Sequence, residues 1–276
     1  MAPGSRACLH RRASGAAHAP AHLAAGPAGK RRRPAAVTHL VRSWHTRVTT
    51  SPVAFAAWLL EFLFPSRCVS CGQPGPPFCD GCCRLVVPIS APLCARCGAP
   101  TAWPVERCRE CAGRRLAFAS ARAAIFYRGP VRPLVRAWKE GGRRPLATLA
   151  AEFVAGRVPR PAADLITYIP PDGDRSLRRG HHPAEGLARE LGGTWGLECR
   201  GLISRRRAIA RQTGLAREER RANVRGAFGC RDAVRGTVVL VDDVYTTGAT
   251  VGAAATALRA AGASEIHVVT LARAVR

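Results

Sequence analysis

Val238-Val239-Leu240-Val241-Asp242-Asp243-Val244-Tyr245-Thr246-Thr247-Gly248-Ala249-Thr250 is the run that decides the fold. Its first four residues are apolar and mostly β-branched, the composition of a strand buried on both faces of a parallel sheet. Two acids at the end of that strand fall where open α/β sheets gather their ligands. Hydroxyls and one glycine follow, and the apolar period of Val251 to Ala261 predicts a helix. A Thr/Gly turn opening a helix presents backbone N–H groups, hydroxyl donors and the positive end of the helix dipole, which suits a phosphate. Adjacent carboxylates can accept hydrogen bonds from a vicinal diol, such as the 2′,3′-hydroxyls of a ribose carrying that phosphate.

The stretch closely resembles the phosphoribosyl-diphosphate (PRPP) motif of type I phosphoribosyltransferases: apolar strand, two acids, two variable positions, then Thr-Gly and a hydroxyl. The resemblance implies that Asp242 and Asp243 hold the ribose and that Thr246, Thr247, Gly248, Ala249 and Thr250 hold the phosphate. One rival is a strand whose acids merely cap the next helix. Another is the Walker B strand of a nucleotide hydrolase, but that family needs a Gly-Lys-Ser/Thr phosphate loop. The only lysines here are Lys30, before Arg31, and Lys139, before Glu140.

With 276 residues and 47% apolar content, the chain can bury one ordinary α/β core and carry a smaller module besides. Its formal charge is +25, from 43 Lys and Arg against 18 Asp and Glu. A genome rich in Arg codons accounts for the choice of Arg over Lys but not for the shortage of acids. Arginine makes bidentate contacts with phosphates, so the balance suggests polyanionic partners.

Residues 1–52 contain no acid and include the basic run Lys30-Arg31-Arg32-Arg33. Such a composition predicts a disordered basic arm; a targeting peptide or a start codon assigned too far upstream are the other readings. The first apolar run, Val53 to Phe64, begins late for a signal peptide, holds Glu61 and is too short to span a bilayer. It predicts an amphipathic helix from Phe55 to Phe64, stopped by Pro65, and a cytoplasmic protein.

Four Cys-x2-Cys pairs follow: Cys68 and Cys71, Cys79 and Cys82, Cys94 and Cys97, Cys108 and Cys111. Each such turn points two thiolates at one ion, and two turns complete a closed structural zinc site. Disulfides are the rival, but they require export. Taken in order, the pairs make two sites, one from Cys68, Cys71, Cys79 and Cys82 and the other from Cys94, Cys97, Cys108 and Cys111. Crossed pairing stays open, and Cys83 could stand in for Cys82. Closed four-cysteine sites leave no position for water, so these metals should fold the module rather than catalyse.

From about residue 117 the pattern alternates. Strands are predicted at Ala121 to Tyr127, Asp164 to Ile169 and Glu265 to Leu271, and helices at Val131 to Trp138, Leu146 to Val154, Ala184 to Leu191 and Val251 to Ala261. Alternation of this kind makes a parallel, doubly wound sheet with helices on both faces. The loop from Pro170 to Gly180, carrying Arg175, Arg178 and Arg179, lies where a second anion can bind. In a phosphoribosyltransferase that anion is pyrophosphate. Arg205 to Phe228 lacks an apolar stripe and is expected to be a flap over the site. The divisions expected are an arm over 1–52, a helix with a double zinc ribbon over 53–115 and a phosphoribosyltransferase-like domain over 116–276.

The whole order resembles the ComF family over about residues 53–276: short helix, paired cysteines, a lysine before a Gly/Arg break, the Arg-Gly loop, Gln212-Thr213-Gly214-Leu215, Arg220-x2-Asn223-Val224-x-Gly226-Ala227-Phe228 and the acid motif. Members are bacterial phosphoribosyltransferase-like proteins, some linked to natural competence and to incoming single-stranded DNA. The resemblance adds Lys139, Arg179, Gly180, Gln212 and Arg220 to the candidate PRPP-binding residues. It implies PRPP with Mg²⁺ as ligand, and single-stranded DNA and competence proteins as partners, the latter bringing the protein to the membrane periphery. One departure is Gly180-His181-His182-Pro183, where the family usually has Gly-Phe-Asn-Gln. Two classes follow: an enzyme that transfers phosphoribosyl to an unknown acceptor while Arg178, Arg179 and Gly180 receive the pyrophosphate, or a binding module for nucleotide and single-stranded DNA. The acid usually serving as base within the motif is here Val244 or Tyr245.

Overall fold

The structure, a computed structural model, describes residues 66–140, 145–171, 182–206 and 226–274. The elements that carry the fold are β1 (Ser120–Phe126), α2 (Val131–Glu140), α3 (Pro145–Ala155), β2 (Leu165–Tyr168), α4 (Pro183–Trp195), β3 (Glu198–Cys199), β6 (Thr237–Tyr245), α5 (Ala249–Ala260) and β7 (Glu265–Arg273). A short α1 (Asp80–Arg84) lies among the cysteines, and β4 (Ile203–Arg205) and β5 (Phe228–Cys230) form a separate pair. The expected elements from residue 120 onward are present; α2, α3, α5 and β7 run a residue or two longer than their apolar period, α4 and β6 run further still, and β2 is shorter.

The main sheet runs β1-β7-β6-β2-β3, and every neighbouring pair in it is parallel. β6 is the third of these five strands, and Val238 to Val241 have no exposed surface. That is why the run contains no polar residue: both of its faces are covered. On one face α2, α3 and α4 pack through Val135, Trp138, Phe153 and Leu187 onto Ile166, Val239, Val241 and Leu271. On the other, α5 packs through Val251, Ala254 and Leu258 onto Val238, Leu240, Ile266 and Val268. Each fully buried aliphatic side chain of this kind contributes roughly 1.5–3 kcal/mol.

The cysteine-rich segment is continuous with this core. Cys68, Phe78 and Cys82 belong to the apolar cluster of the α2–α4 face, whereas Cys94, Cys97 and Cys111 belong to that of the α5 face. Phe78 meets Phe153 of α3 edge-on, with ring centroids 6.4 Å apart. On the opposite side Gly98 lies so close to the Ala121 carbonyl of β1 that a Cβ would overlap it, and its φ of 68° is itself one that favours glycine.

Two expectations change. β6 does not end at the acids but continues through them to Tyr245, because β7 keeps pairing with it as far as Tyr245 opposite Arg273. The segment expected to be a flap is anchored at its ends, where β4 pairs antiparallel with β5, Arg205 opposite Phe228. Ala227 and Phe228 are buried there, so two apolar residues suffice to hold a base that has no stripe. The helix at 55–64 and the basic arm at 1–52 lie outside the described residues.

Candidate ribose-phosphate site and zinc centres

Asp242 and Asp243 stand on β6 just past the point where its other neighbour stops. β2 pairs with β6 only as far as Tyr168 opposite Val241, and among the described residues no strand pairs with that edge of β6 beyond it. The Asp242 carboxylate accepts the backbone N–H of Asp243 at 2.9 Å. Asp243 is buried and meets Lys139, in the last turn of α2, with Nζ 2.7 Å from Oδ2. α2 carries this lysine there because Val131, Leu134, Val135 and Trp138 bury its other face against the sheet.

The site is therefore two acids and one cation in a confined space, and their titration reflects it. Burial, then the neighbouring Asp243 charge, pushes Asp242 up to about 7, while Lys139, the Asp243 N–H and Arg205 pull it down. Burial works against the Lys139 ammonium, yet Asp243 and Asp242 outweigh it and hold its pKa above the ordinary value. A carboxylate poised near neutrality gains its full charge when a cation or a hydroxyl pair arrives.

The loop after the acids is braced from inside and from beneath. Gly248 caps α5 with φ 71° and ψ 13°, and a Cβ there would overlap the Tyr245 hydroxyl, so glycine is required twice over. Thr247 Oγ1 accepts the Ala249 N–H at 3.3 Å, and Gly252 N–H closes the first helical bond to Gly248 O at 2.9 Å. The N–H groups of Thr250 and Val251, in the first turn, have no acceptor within the helix and point their dipole outward. Thr246 is exposed, Thr250 half-buried, and Thr247, Gly248 and Ala249 are buried. The structure thus brings Asp242, Asp243, Lys139 and Thr246 to Thr250 to one end of the sheet. Arg178, Arg179, Gly180, Gln212 and Arg220 lie outside the described residues.

Val244 cannot take a proton, and Tyr245 is no substitute: burial pushes its phenol up, and its hydroxyl is buried with no hydrogen-bond partner among the described residues. His182, which follows a histidine where the family pattern differs, has a structural task. Its Nδ1 accepts the Glu185 N–H at 3.2 Å and caps α4, with Pro183 beginning the helix.

The eight paired cysteines form two groups, Cys68, Cys71, Cys79 and Cys82, and Cys94, Cys97, Cys108 and Cys111. In each, the Sγ atoms lie within 4.8 Å of one another. Separations of 3.7 Å between Cys68 and Cys82, 3.6 Å between Cys94 and Cys111 and 3.4 Å between Cys97 and Cys108 are close to the ~3.8 Å edge of a tetrahedron with Zn–S bonds of about 2.3 Å. Backbone N–H groups of Cys79 and Cys108 point at the sulfurs of Cys68 and Cys94, at 3.5 and 3.3 Å. The pairing is sequential, and Cys82 rather than Cys83 completes the first site. Both donor sets fit zinc. Burial pushes the Cys97 and Cys111 thiols up, so zinc binding must drive their deprotonation.

Residues that carried no motif join the site from the ribbon side. Arg114 Nη2 donates to the Thr247 carbonyl at 3.1 Å. Arg273, 2% exposed, lies over the Tyr245 ring at 4.5 Å and donates to the Cys97 carbonyl at 2.7 Å and to Glu110 Oε2 at 2.8 Å. A groove of about 920 Å³ runs along α5, sharing Gly248 and Ala249 with the loop and lined by Arg114, Arg115 and Arg206 against one acid, Asp232. No repeat or spacing marks these arginines; only their position after the last cysteine pair or at the ends of strands could have drawn notice.

Comparison with known proteins agrees in two parts. A double zinc ribbon domain matches residues 59–112 and a phosphoribosyl transferase domain matches residues 177–275. DNA utilization protein YhgH of Salmonella typhi is 30% identical over 225 residues, covering 76% of this chain and 97% of that protein. Competence protein F of Haemophilus influenzae is 28% identical over 231 residues, covering 76% of this chain and 98% of that protein. Among solved structures, the glutamine phosphoribosylpyrophosphate (PRPP) amidotransferase from B. subtilis, complexed with ADP and GMP, shares 26% identity at a TM-score of 0.31. That match spans 47% of this chain and about a quarter, 26%, of that one.

Proposed function

The chain belongs to the ComF/YhgH family, and from that premise we propose that it binds PRPP, or a related ribose 5-phosphate, with Mg²⁺ at the end of β6. The observation that carries this reading is the union of Asp242, Asp243 and the Gly248 turn on one strand–helix junction. Asp242 and Asp243 would accept the ribose hydroxyls. The N–H groups and hydroxyls of Thr246 to Thr250 would hold the 5′-phosphate. Magnesium keeps most of its waters and is taken through one or two carboxylates plus substrate phosphates, which matches a site with two acids and one lysine. Lys139 then shifts its ammonium from Asp243 toward the diphosphate. Arg178, Arg179 and Gly180 would receive the pyrophosphate, and Gln212 and Arg220 would cover the sugar, if phosphoribosyl is transferred to an acceptor. The setting is DNA utilization and competence, as the names of the relatives suggest, in the cytoplasm. Among the described residues no helix is long and apolar enough to cross a membrane.

Titration calorimetry of the full chain tests it. Wild type should bind PRPP only with Mg²⁺, and Asp243→Ala should lose that binding; equal affinity in the variant would end the proposal.

A second reading, a site that grips a nucleotide without transferring it while single-stranded DNA lies along the basic surface, is favoured by the arginines of the α5 groove and by the absence of a base at Val244 and Tyr245. It predicts affinity for single strands that falls steeply with salt and drops on Arg206→Ala. A flat salt titration would sink it.

A further inference from the structure

The two four-cysteine sites are not placed alike with respect to the phosphate loop. The second is wired to it. Arg273 ends β7, directly opposite Tyr245 of β6. Its guanidinium is almost wholly buried, at 2% exposure, and a buried cation needs anionic or carbonyl partners on several sides. Those among the described residues come from the second ribbon. The Cys97 carbonyl accepts at 2.7 Å, Glu110, which lies between Cys108 and Cys111, accepts at 2.8 Å, and the Cys97 Sγ lies 3.9 Å away. The face of the guanidinium rests on the Tyr245 ring at 4.5 Å. That ring, in turn, has its hydroxyl beneath Gly248, the residue whose left-handed backbone turns the chain into α5.

A second route runs through Arg114, three residues after the last ligand. Its backbone N–H donates to the Cys111 carbonyl at 3.2 Å, and its Nη2 holds the Thr247 carbonyl at 3.1 Å. Turning that carbonyl toward Arg114 directs the peptide N–H of Gly248 to the opposite side, where a phosphate would sit. Four thiolates on one divalent ion carry a net charge of about −2, so a zinc-loaded second site would add to Glu110 a second negative charge facing the buried Arg273. The first site has a different neighbourhood, packed on α2 and α3 through Phe78 and Phe153.

We infer that the second zinc ribbon is the scaffold of the phosphate loop, and that Arg273 and Arg114 are the positioning residues that connect the two. Zinc there presets the Tyr245-to-Val251 turn for the ribose 5-phosphate. The ligand side of this inference rests on the function proposed above; the mechanical side does not.

Hydrogen exchange on the zinc-loaded full chain, followed by mass spectrometry for the peptide over Tyr245 to Val251, reads the connection without any ligand. Glu110→Gln removes the carboxylate charge but keeps an amide oxygen as acceptor for Arg273, and Arg114→Ala removes the half-exposed second route; zinc content and α2 exchange report any wider disturbance. Both should retain two zinc equivalents. In both, the loop peptide should exchange about fivefold faster while the α2 peptide over Val131 to Lys139 is unchanged. Mg²⁺-PRPP affinity should fall about tenfold in the same variants. Unchanged loop exchange with zinc retained overturns the inference. So does uniform acceleration of loop and α2, which would mean that the two arginines serve only overall stability. If wild type binds no PRPP, the proposed ligand is wrong and the exchange data alone decide the scaffold.

Discussion

The two ribbons, each built from two Cys-x2-Cys pairs and able to hold one metal, join the apolar clusters on opposite faces of the same sheet. The first joins the cluster that positions α2 and hence Lys139; the second joins the cluster beneath α5 and the phosphate turn. One therefore packs behind the helix that carries Lys139, and the other beneath the turn at Gly248. Like ligand sets thus meet different surroundings according to which face they cover, and the seven residues between the pairs of the first or the ten between those of the second do not announce which face that is.

Removing one metal at a time should produce the largest effect. Cys71→Ser and Cys111→Ser should each lower zinc from about two to about one equivalent per chain. Only Cys111→Ser should then weaken Mg²⁺-PRPP binding by roughly a hundredfold, whereas Cys71→Ser, at an exposed ligand, should cost less than about tenfold. Elemental analysis alongside calorimetry checks this, and equal losses would erase the distinction between the ribbons.

Next in size is Gly248→Ala. With φ at 71° and the Tyr245 hydroxyl where a Cβ would go, the change should cost about 2 kcal/mol in denaturant unfolding and disable the loop. An unaltered midpoint would mean that the turn relaxes freely and is not braced from the second ribbon.

Asp242 gives a comparable, pH-dependent effect on the α2 side. Its folded pKa, about 7, is raised above the ordinary carboxylate value near 4, so ionising it costs stability. That cost is absent below pH ~4, accumulates as pH rises to about 7 and is constant above. Asp242→Asn should therefore be more stable than wild type at pH 8, by on the order of 2 kcal/mol, and nearly equal to it at pH 4. Mg²⁺-PRPP affinity of wild type should rise over the same interval. A pH-independent difference between the two proteins would contradict the assignment.

The smallest change is Tyr245→Phe. Its buried hydroxyl has no partner among the described residues, so deleting it while keeping the ring under Arg273 should stabilise the protein by up to about 1 kcal/mol. Destabilisation would reveal a contact of that hydroxyl in the ligand-free protein.

Most of the sheet was legible because its strands and helices carry their burial in their composition: Val238 to Val241 could hardly be anything but a central strand. The cysteine spacing was equally plain, and its sequential pairing holds. What the sequence hid were contacts made at long range. Arg273 and Cys97 are separated by 176 residues, and Arg114 and Thr247 by 133, with no periodicity to connect them. The base of the expected flap was missed for a related reason, since a strand pair of three residues on each side is too short to show alternation. His182 was noticed only as a departure from the family pattern, and nothing in its spacing announced the helix cap that it forms.

A crystal of the full chain grown with Mg²⁺ and PRPP tests the central claim most directly. The 5′-phosphate should appear at the first turn of α5, between Thr246 and Thr250, with the ribose hydroxyls on Asp242 and Asp243 and the Arg114 bond to Thr247 intact. Phosphate density in the α5 groove beside Arg206, with none at the turn, would contradict it.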